Sequence, residues 1–183
     1  MSRKLAISCV EVKESSDARL AWVEATYNDS FPESERRDFS LVRRLLEEQP
    51  AFKLYLALVN EEQYVGFITF WHFGLFVYVE HFAIDSSVRN GGLGSLVMKE
   101  QLSLINVPVV LEVELPDEEL NRRRIGFYER LGFVLDDHPY RQPPYRRGEE
   151  WLDMRLMTCG KLGMEPSFEE IKKVIYKEVY NVN

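Results

Sequence analysis

The sequence predicts a mixed α/β fold, with a central, mostly antiparallel sheet of six to seven strands flanked by helices. Three strand-like runs follow one another at 52–59, 64–73 and 75–84, and this succession is typical of an antiparallel meander. A glycine-rich turn then leads into a helix and a β-branched strand, which indicates one parallel crossover. Antiparallel runs beside a parallel crossover give a mixed sheet.

The first fifty residues predict one strand and two helices. Residues 4–12 have strand composition, and polar N-cap candidates then precede a helix predicted over 17–27. Apolar residues recur at helical spacing over 38–49 until Pro50 ends the pattern, which predicts the second helix.

The second half of the chain predicts further alternation of helices and strands. A helix predicted at 93–105 precedes a β-branched strand at 107–115, and a fourth helix is predicted at 120–131. Two more strands are predicted at 133–137 and 151–157, on either side of a polar loop.

The C-terminal residues predict a separate last helix. Ser167 and Glu170 have the spacing of a capping box, and apolar residues recur at helical spacing behind them. We therefore predict one domain over 1–160 and a helical extension over 161–183, which packs on that domain or on a partner. The sequence leaves the oligomeric state open, with a homodimer as one option.

Composition excludes several classes of partner. The formal net charge is -7, so the chain has no broad basic field to hold nucleic acid or an anionic membrane surface. No apolar run approaches the roughly 20 residues that span a bilayer. The two cysteines, Cys9 and Cys159, have neither metal-site nor CxxC spacing, which predicts no metal and fits a cytoplasmic location.

The segment 83–95 carries the most informative pattern in the sequence. Gly91, Gly92 and Gly94 permit positive φ and close backbone approach at the start of a helix, where N–H groups and the helix dipole attract phosphate. Arg89 adds a charged donor. The segment therefore predicts a site for a phosphate-bearing ligand.

Two common nucleotide motifs do not fit this segment. A dinucleotide fingerprint requires a third glycine where Val97 stands, and a Walker loop requires a lysine that does not follow Gly94. The spacing Arg89-x-x-Gly92-x-Gly94 instead resembles the (Arg/Gln)-x-x-Gly-x-(Gly/Ala) signature of the GNAT N-acetyltransferase superfamily. Residues 82–85 resemble the bulged fourth strand of that family.

A second block, LEVELPDEELNRRRIGFYERLGF, resembles the family pattern LEVxxxNxxAxxxYxxxGF. Matching positions are occupied by Glu112, Asn121, Tyr128, Gly132 and Phe133. The chain departs from the pattern in two ways: four extra residues separate the first two of these positions, and an arginine replaces the usual alanine. The alignment of the tyrosine is therefore firmer than that of the glutamate.

The resemblance implies the fold, the co-substrate and a set of binding residues. Members of this family bind acetyl-coenzyme A in a V-shaped gap between the fourth and fifth strands, and the acceptor amine attacks the thioester directly. The implied coenzyme contacts are Phe82, Ala83, Ile84, Arg89, Asn90, Gly91, Gly92, Leu93, Gly94, Ser95, Asn121 and Tyr128.

The resemblance also suggests catalytic residues. Tyr128 stands where the family tyrosine points at the thioester sulfur, so it is the candidate acid for the leaving thiolate. Glu80 lies on the same strand face as Tyr78. Some members of the family carry catalytic carboxylates or histidines on this face, which makes Glu80 one candidate for the general base. Glu112 is a second candidate, and a chain of water molecules is a third.

The sequence thus predicts an acetyl-coenzyme A-dependent N-acetyltransferase that modifies a primary amine of a small molecule or peptide. The alternative is a non-catalytic, regulatory acyl-coenzyme A-binding module. Carboxylates and aromatic rings in the expected acceptor region suit a cationic or aromatic amine. Residues expected to line that region are Glu33, Glu35, Glu80, Glu114, Tyr140 and Tyr145.

Overall fold

The structure, a computed structural model, describes residues 6–89, 91–160 and 166–182. These residues form two compact units. The first comprises the described residues of 1–72 together with 79–105, and the second comprises 73–78 and the described residues of 106–183. In the described ranges, no helix is both long and apolar enough to cross a membrane.

The first unit contains strands that succeed one another along both the chain and the sheet. Strand β1 pairs antiparallel with β2, and β2 pairs antiparallel with β3. Strand β4 begins in the second unit and continues in the first. The elements are β1 (Ile7–Val12), α1 (Leu20–Ser30), α2 (Phe39–Glu48), β2 (Phe52–Val59), β3 (Gln63–His72), β4 (Val77–Ile84) and α3 (Leu93–Ser103).

A core of small and branched side chains fixes the start of α3 on this sheet. Leu93 and Val97 of α3 pack with Ala57, Val59 and Val65 of β2 and β3. Because buried apolar area is the dominant stabilising contribution, these contacts hold the glycine turn that precedes α3 in place.

The second unit is built around the long strand β8. Strands β5, β6 and β7 each pair antiparallel with it. The elements are β5 (Val109–Glu114), α4 (Glu119–Glu129), β6 (Val134–Leu135), β7 (Tyr140–Gln142), β8 (Leu152–Cys159) and α5 (Phe168–Val174), followed by one π-helical turn (Ile175–Val179).

Most predicted elements occur close to their predicted bounds. Helix α1 begins at Leu20 rather than Asp17, because the Asp17 carboxylate accepts hydrogen bonds from the backbone and side chain of Arg19 before the helix starts. The described residues form eight strands, whereas the sequence predicted six to seven. The additional strand, β7, forms within a segment that the sequence predicted as loop.

The C-terminal helix has the predicted cap. The hydroxyl of Ser167 accepts a hydrogen bond from the N–H of Glu170, whose carboxylate accepts from the N–H of Ser167. Its buried residues include Ile171 and Ile175. The predicted boundary at 160/161 stays a prediction, and residues 161–165 lie outside the described part of the chain.

Candidate functional site

The glycine turn of the first unit opens directly onto the N-terminus of α3. Gly92 is the N-cap of that helix, with a φ of +73° that disfavours other residues. A glycine has no side chain with which to accept hydrogen bonds from the first helical turn. Among the described residues, a Cβ added at Gly92 would meet no atom within 4 Å apart from its chain neighbours. The first N–H groups of the helix are therefore not capped by a side chain of this residue.

The segment before the turn is shaped by a local cap. The Asp85 carboxylate accepts hydrogen bonds from the N–H and hydroxyl of Ser87, and Val88 N–H donates to the Asp85 carbonyl at 3.1 Å. These bonds form a single 3₁₀ turn, Ser86–Val88. The chain thereby reverses between β4 and α3.

Arg89 lies exposed beside this turn and is held by two hydrogen bonds. Its Nε donates to the Ile84 carbonyl at 2.9 Å, and its Nη2 donates to the Ser30 hydroxyl at 3.1 Å. A guanidinium has five N–H donors, so these bonds use two of them. Asn90, another predicted contact, lies outside the described residues.

Glu80, a candidate base, is buried in an ion pair of the first unit. Its Oε1 accepts from Nε of Arg37 at 2.8 Å, and its Oε2 accepts from the indole N–H of Trp71 at 2.7 Å. The Glu80 side chain is 1% exposed and that of Arg37 is 11% exposed. Protonation of this carboxylate would remove the charge that strengthens both hydrogen bonds.

The same ion pair helps to fasten the segment 31–37 to β4. The N–H of Arg37 donates to the Tyr27 hydroxyl at 2.9 Å, and the ring Nε2 of His81 lies 3.0 Å from the Glu35 carbonyl oxygen. Burial lowers the pKa of His81. Two predicted acceptor-lining residues, Glu33 and Glu35, belong to this fastened segment, in a 3₁₀ turn.

Glu112, the other candidate base, lies in a buried network of the second unit. Its Oε1 accepts from the Tyr140 hydroxyl, and its Oε2 accepts from Nε2 of Gln142 at 2.7 Å and from the Tyr180 hydroxyl at 2.9 Å. The Tyr78 hydroxyl lies 3.4 Å from that of Tyr180. Phenols and an amide therefore surround this carboxylate.

The network shifts the proton affinity of its members. Burial raises the pKa of Glu112 to about 7, although the hydrogen bonds from Tyr140, Tyr180, Tyr78 and Gln142 work in the opposite direction. A carboxyl group with a pKa near neutrality changes its protonation state in the range where most enzymes operate, which is a property of general bases.

Tyr128, the candidate acid, is packed between two phenylalanine rings at the C-terminal end of α4. Its ring centroid lies 5.1 Å from that of Phe127 and 5.5 Å from that of Phe133. Burial raises the pKa of Tyr128 to about 12. Across 6–89, 91–160 and 166–182, its hydroxyl has no hydrogen-bond partner.

Two other predicted residues of the second unit have local partners. Asn121 donates from Nδ2 to the Leu115 carbonyl at 3.1 Å, which closes the turn between β5 and α4. Glu114 is paired with Arg124 of α4. Arg124 stands where the family pattern usually has alanine, and its guanidinium pairs with the Glu114 carboxylate.

Comparison with known proteins decides the family. The sequence model of the protein family described as acetyltransferase (GNAT) domain matches residues 50–135. The solved structure of a GNAT-family protein from Bacteroides thetaiotaomicron is 36% identical in sequence, has a TM-score of 0.90, and the match covers 96% of this chain and 99% of that one. The chain belongs to the GNAT acetyltransferase family.

More distant GNAT structures share the fold. A chimera of the spermidine N-acetyltransferase SpeG from Vibrio cholerae and hSSAT is 13% identical, with a TM-score of 0.64 and coverage of 84% of this chain and 94% of that one. A GNAT family acetyltransferase from Elizabethkingia anophelis, solved with acetyl-CoA bound, is 16% identical, with a TM-score of 0.57 and coverage of 85% and 98%. No curated protein matches the chain.

Sequence reasoning missed one glycine that this GNAT chain needs. A Cβ on Gly66 of β3 would lie 2.4 Å from the Ala83 carbonyl oxygen and 2.8 Å from Cδ1 of Ile84. Only glycine therefore allows this close approach to the end of β4, the segment assigned to coenzyme binding. A glycine inside a strand is the available signal, because it often marks a close backbone contact.

Gly66→Ala should lower the free energy of unfolding by about 1 to 3 kcal/mol, since the methyl group overlaps backbone and the strand ends must move apart. Gly126→Ala is the matched control. There the Cβ would lie 3.5 Å from Nη1 of Arg130, a flexible side chain, and alanine favours the helix by about 0.5 to 1 kcal/mol. Chemical denaturation measures both. Equal stability of the two variants would contradict the close approach.

Proposed function

We propose that this protein is an acetyl-coenzyme A-dependent N-acetyltransferase that acts on a primary amine of a small molecule or peptide. The observation that carries the proposal is the glycine-capped N-terminus of α3, which has no side-chain cap. Its N–H groups and dipole suit the pyrophosphate of the coenzyme, with Gly91, Gly92 and Gly94 admitting the phosphates and Arg89 supplying a charged donor.

The reaction needs one proton acceptor and one hydrogen-bond donor from the chain. An alkylammonium, with a pKa near about 10.4, must lose a proton before its nitrogen can attack. We assign that proton to Glu112, reached through phenol hydroxyls or water because the carboxylate is buried. The C–N bond then forms, the C–S bond breaks and the second amine proton is released. The products are an amide and the coenzyme thiol.

Tyr128 acts on the leaving sulfur in this proposal. The pKa of Tyr128, about 12, lies well above the value of about 8.5 for an ordinary thiol. Complete proton transfer from the phenol to the thiolate is therefore uphill. A hydrogen bond from the phenol stabilises charge that develops on sulfur without that transfer, and solvent supplies the final proton.

The acceptor is proposed to be cationic. The residues that the sequence assigned to the acceptor include the carboxylates Glu33 and Glu35 and the aromatic rings of Tyr140 and Tyr145. The distant SpeG chimera is named for spermidine, a polyamine. Release of thiol from acetyl-coenzyme A across polyamines, amino acids and amine-bearing peptides tests the class. Both cysteines are free thiols, which supports action in a reducing cytoplasm.

Gly92→Asp should weaken acetyl-coenzyme A binding by about 10²-fold or more, because a carboxylate would stand where phosphate oxygens are proposed to bind. Gly74→Asp is the matched control: that glycine has a φ of +80°, against +73° for Gly92, and equally open surroundings. The two variants thus carry the same charge and similar backbone strain. Isothermal titration calorimetry measures the affinity for acetyl-coenzyme A. If the two variants bind it equally well, the pyrophosphate does not bind at this loop.

A further inference from the structure

The C-terminal segment supplies a hydroxyl to the Glu112 network. Tyr180 follows the π-helical turn, and its hydroxyl donates to Oε2 of Glu112 across a separation of 68 residues. Tyr180 is 8% exposed, and its ring centroid lies 5.1 Å from that of Tyr145. This contact is therefore at least partly buried, not a surface encounter.

The direction of the hydrogen bond follows from the donors present. Nε2 of Gln142 donates both to the Tyr180 hydroxyl at 2.8 Å and to the carboxylate at 2.7 Å. Since the amide N–H occupies a lone pair of the phenol oxygen, the single phenol proton is left for Glu112 at 2.9 Å. The amide thus orients the hydroxyl as a donor to the carboxylate.

A second tyrosine of the same segment, Tyr176, makes a different hydrogen bond. Tyr176 donates to the Arg141 carbonyl of β7 at 2.5 Å. Its ring packs against Tyr140 and Trp151. One tyrosine of this segment thus anchors the helix to β7, whereas the other contacts the ionisable group.

The groups around Glu112 are mostly neutral hydrogen-bonding side chains. In strand register it lies opposite Leu156 of β8, and the next carboxylate on β5, Glu114, is paired with Arg124 of α4. The hydrogen-bonding groups that face it are Tyr78 of β4, Tyr140 and Gln142 of β7, and Tyr180 of the C-terminal segment. Two further phenols contact these groups: Tyr145 packs on Tyr180, and Tyr176 packs on Tyr140.

We propose that Tyr180 is a positioning residue, whose hydroxyl, oriented by Gln142, holds the Glu112 carboxylate in place and stabilises its ionised form. The C-terminal segment thereby contributes to the acetyl-transfer site as well as to stability. This inference rests on the proposed function only in taking Glu112 as the base. The effect of Tyr180 on the proton affinity of Glu112 can be measured in the protein without any substrate.

The test is a carboxyl-carbon NMR titration of protein labelled with [13C]glutamate, with the Glu112 signal assigned by its loss in Glu112→Gln. In Tyr180→Phe, the apparent pKa of Glu112 should rise by about one to two units, the usual effect of one hydrogen bond to a charged group. Tyr176→Phe, which removes the anchoring hydroxyl of the same segment, should leave the titration unchanged. A second variant, Gln142→Met, should also raise the apparent pKa of Glu112.

The activity profile separates this inference from the proposed function. The acidic limb of kcat/KM in Tyr180→Phe should move by the same amount as the NMR titration. If no amine is acetylated, the proposed function fails, while the substrate-free titration still decides the role of Tyr180. The inference is wrong if the apparent pKa of Glu112 in Tyr180→Phe equals that of the wild type. It is also wrong if Tyr176→Phe shifts that pKa as much as Tyr180→Phe does.

Discussion

Replacing Tyr128 by phenylalanine should lower kcat for acetyl transfer by about 10 to 10³-fold, the range for loss of one acid or one oxyanion donor. The variant keeps the ring and its contacts with Phe127 and Phe133. It removes only a hydroxyl that has no partner among the described residues, so stability should change little. Because charge develops on sulfur only as the C–S bond breaks, the Michaelis constants should hold while turnover falls.

The leaving group provides the control for this prediction. With an acyl donor whose thiol has a lower pKa, the leaving thiolate needs less stabilisation, so the deficit of the variant should shrink. Steady-state kinetics with both donors measures this. Full activity of Tyr128→Phe with acetyl-coenzyme A and the true acceptor would assign this tyrosine to packing alone.

Glu112→Gln should lower kcat/KM by about 10²-fold or more and remove the acidic limb near pH 7, if this carboxylate accepts the amine proton. Coenzyme affinity should be almost unchanged. Glu80→Gln is the comparison, because it removes the negative charge that pairs with Arg37. Breaking a buried ion pair costs about 3 to 5 kcal/mol, so this variant should lose mainly stability. The opposite assignment follows if Glu80→Gln, while folded, removes the acidic limb and Glu112→Gln keeps it.

The stability of the protein should also report Glu112. Its pKa rises from 4.5 to about 7 in the folded state. Between these values the folded chain binds this proton and the unfolded chain does not, so the free energy of unfolding falls as pH rises through this window. Denaturation at pH 5 and pH 7.5 should show a loss on the order of 3 kcal/mol in the wild type that Glu112→Gln lacks. If the wild type and Glu112→Gln lose the same free energy of unfolding between pH 5 and pH 7.5, a group other than Glu112 is responsible.

Sequence alone determined the features that depend on neighbouring residues. The spacing of Arg89, Gly92 and Gly94 predicted a turn that opens a helix, and the structure places Gly92 at the N-cap of α3. Ser167 and Glu170 predicted the capping box of α5, which is present. Helical periodicity, caps and positive φ are local properties, so they are legible in a single sequence. The family resemblance rested on the same local patterns and is confirmed.

Only the tertiary structure decided which distant side chains meet. The sequence put Glu80 first as the base, with Glu112 and water as alternatives. The fold pairs Glu80 with Arg37, 43 residues away, and brings Tyr180 to Glu112 across 68 residues. Gly66 likewise acquires its importance from the approach of Ala83. Strand register and helix docking set these contacts, and neither leaves a periodic trace in the residues that take part. The burial that raises the pKa of Glu112 is therefore a property of the folded chain, not of the motif around it.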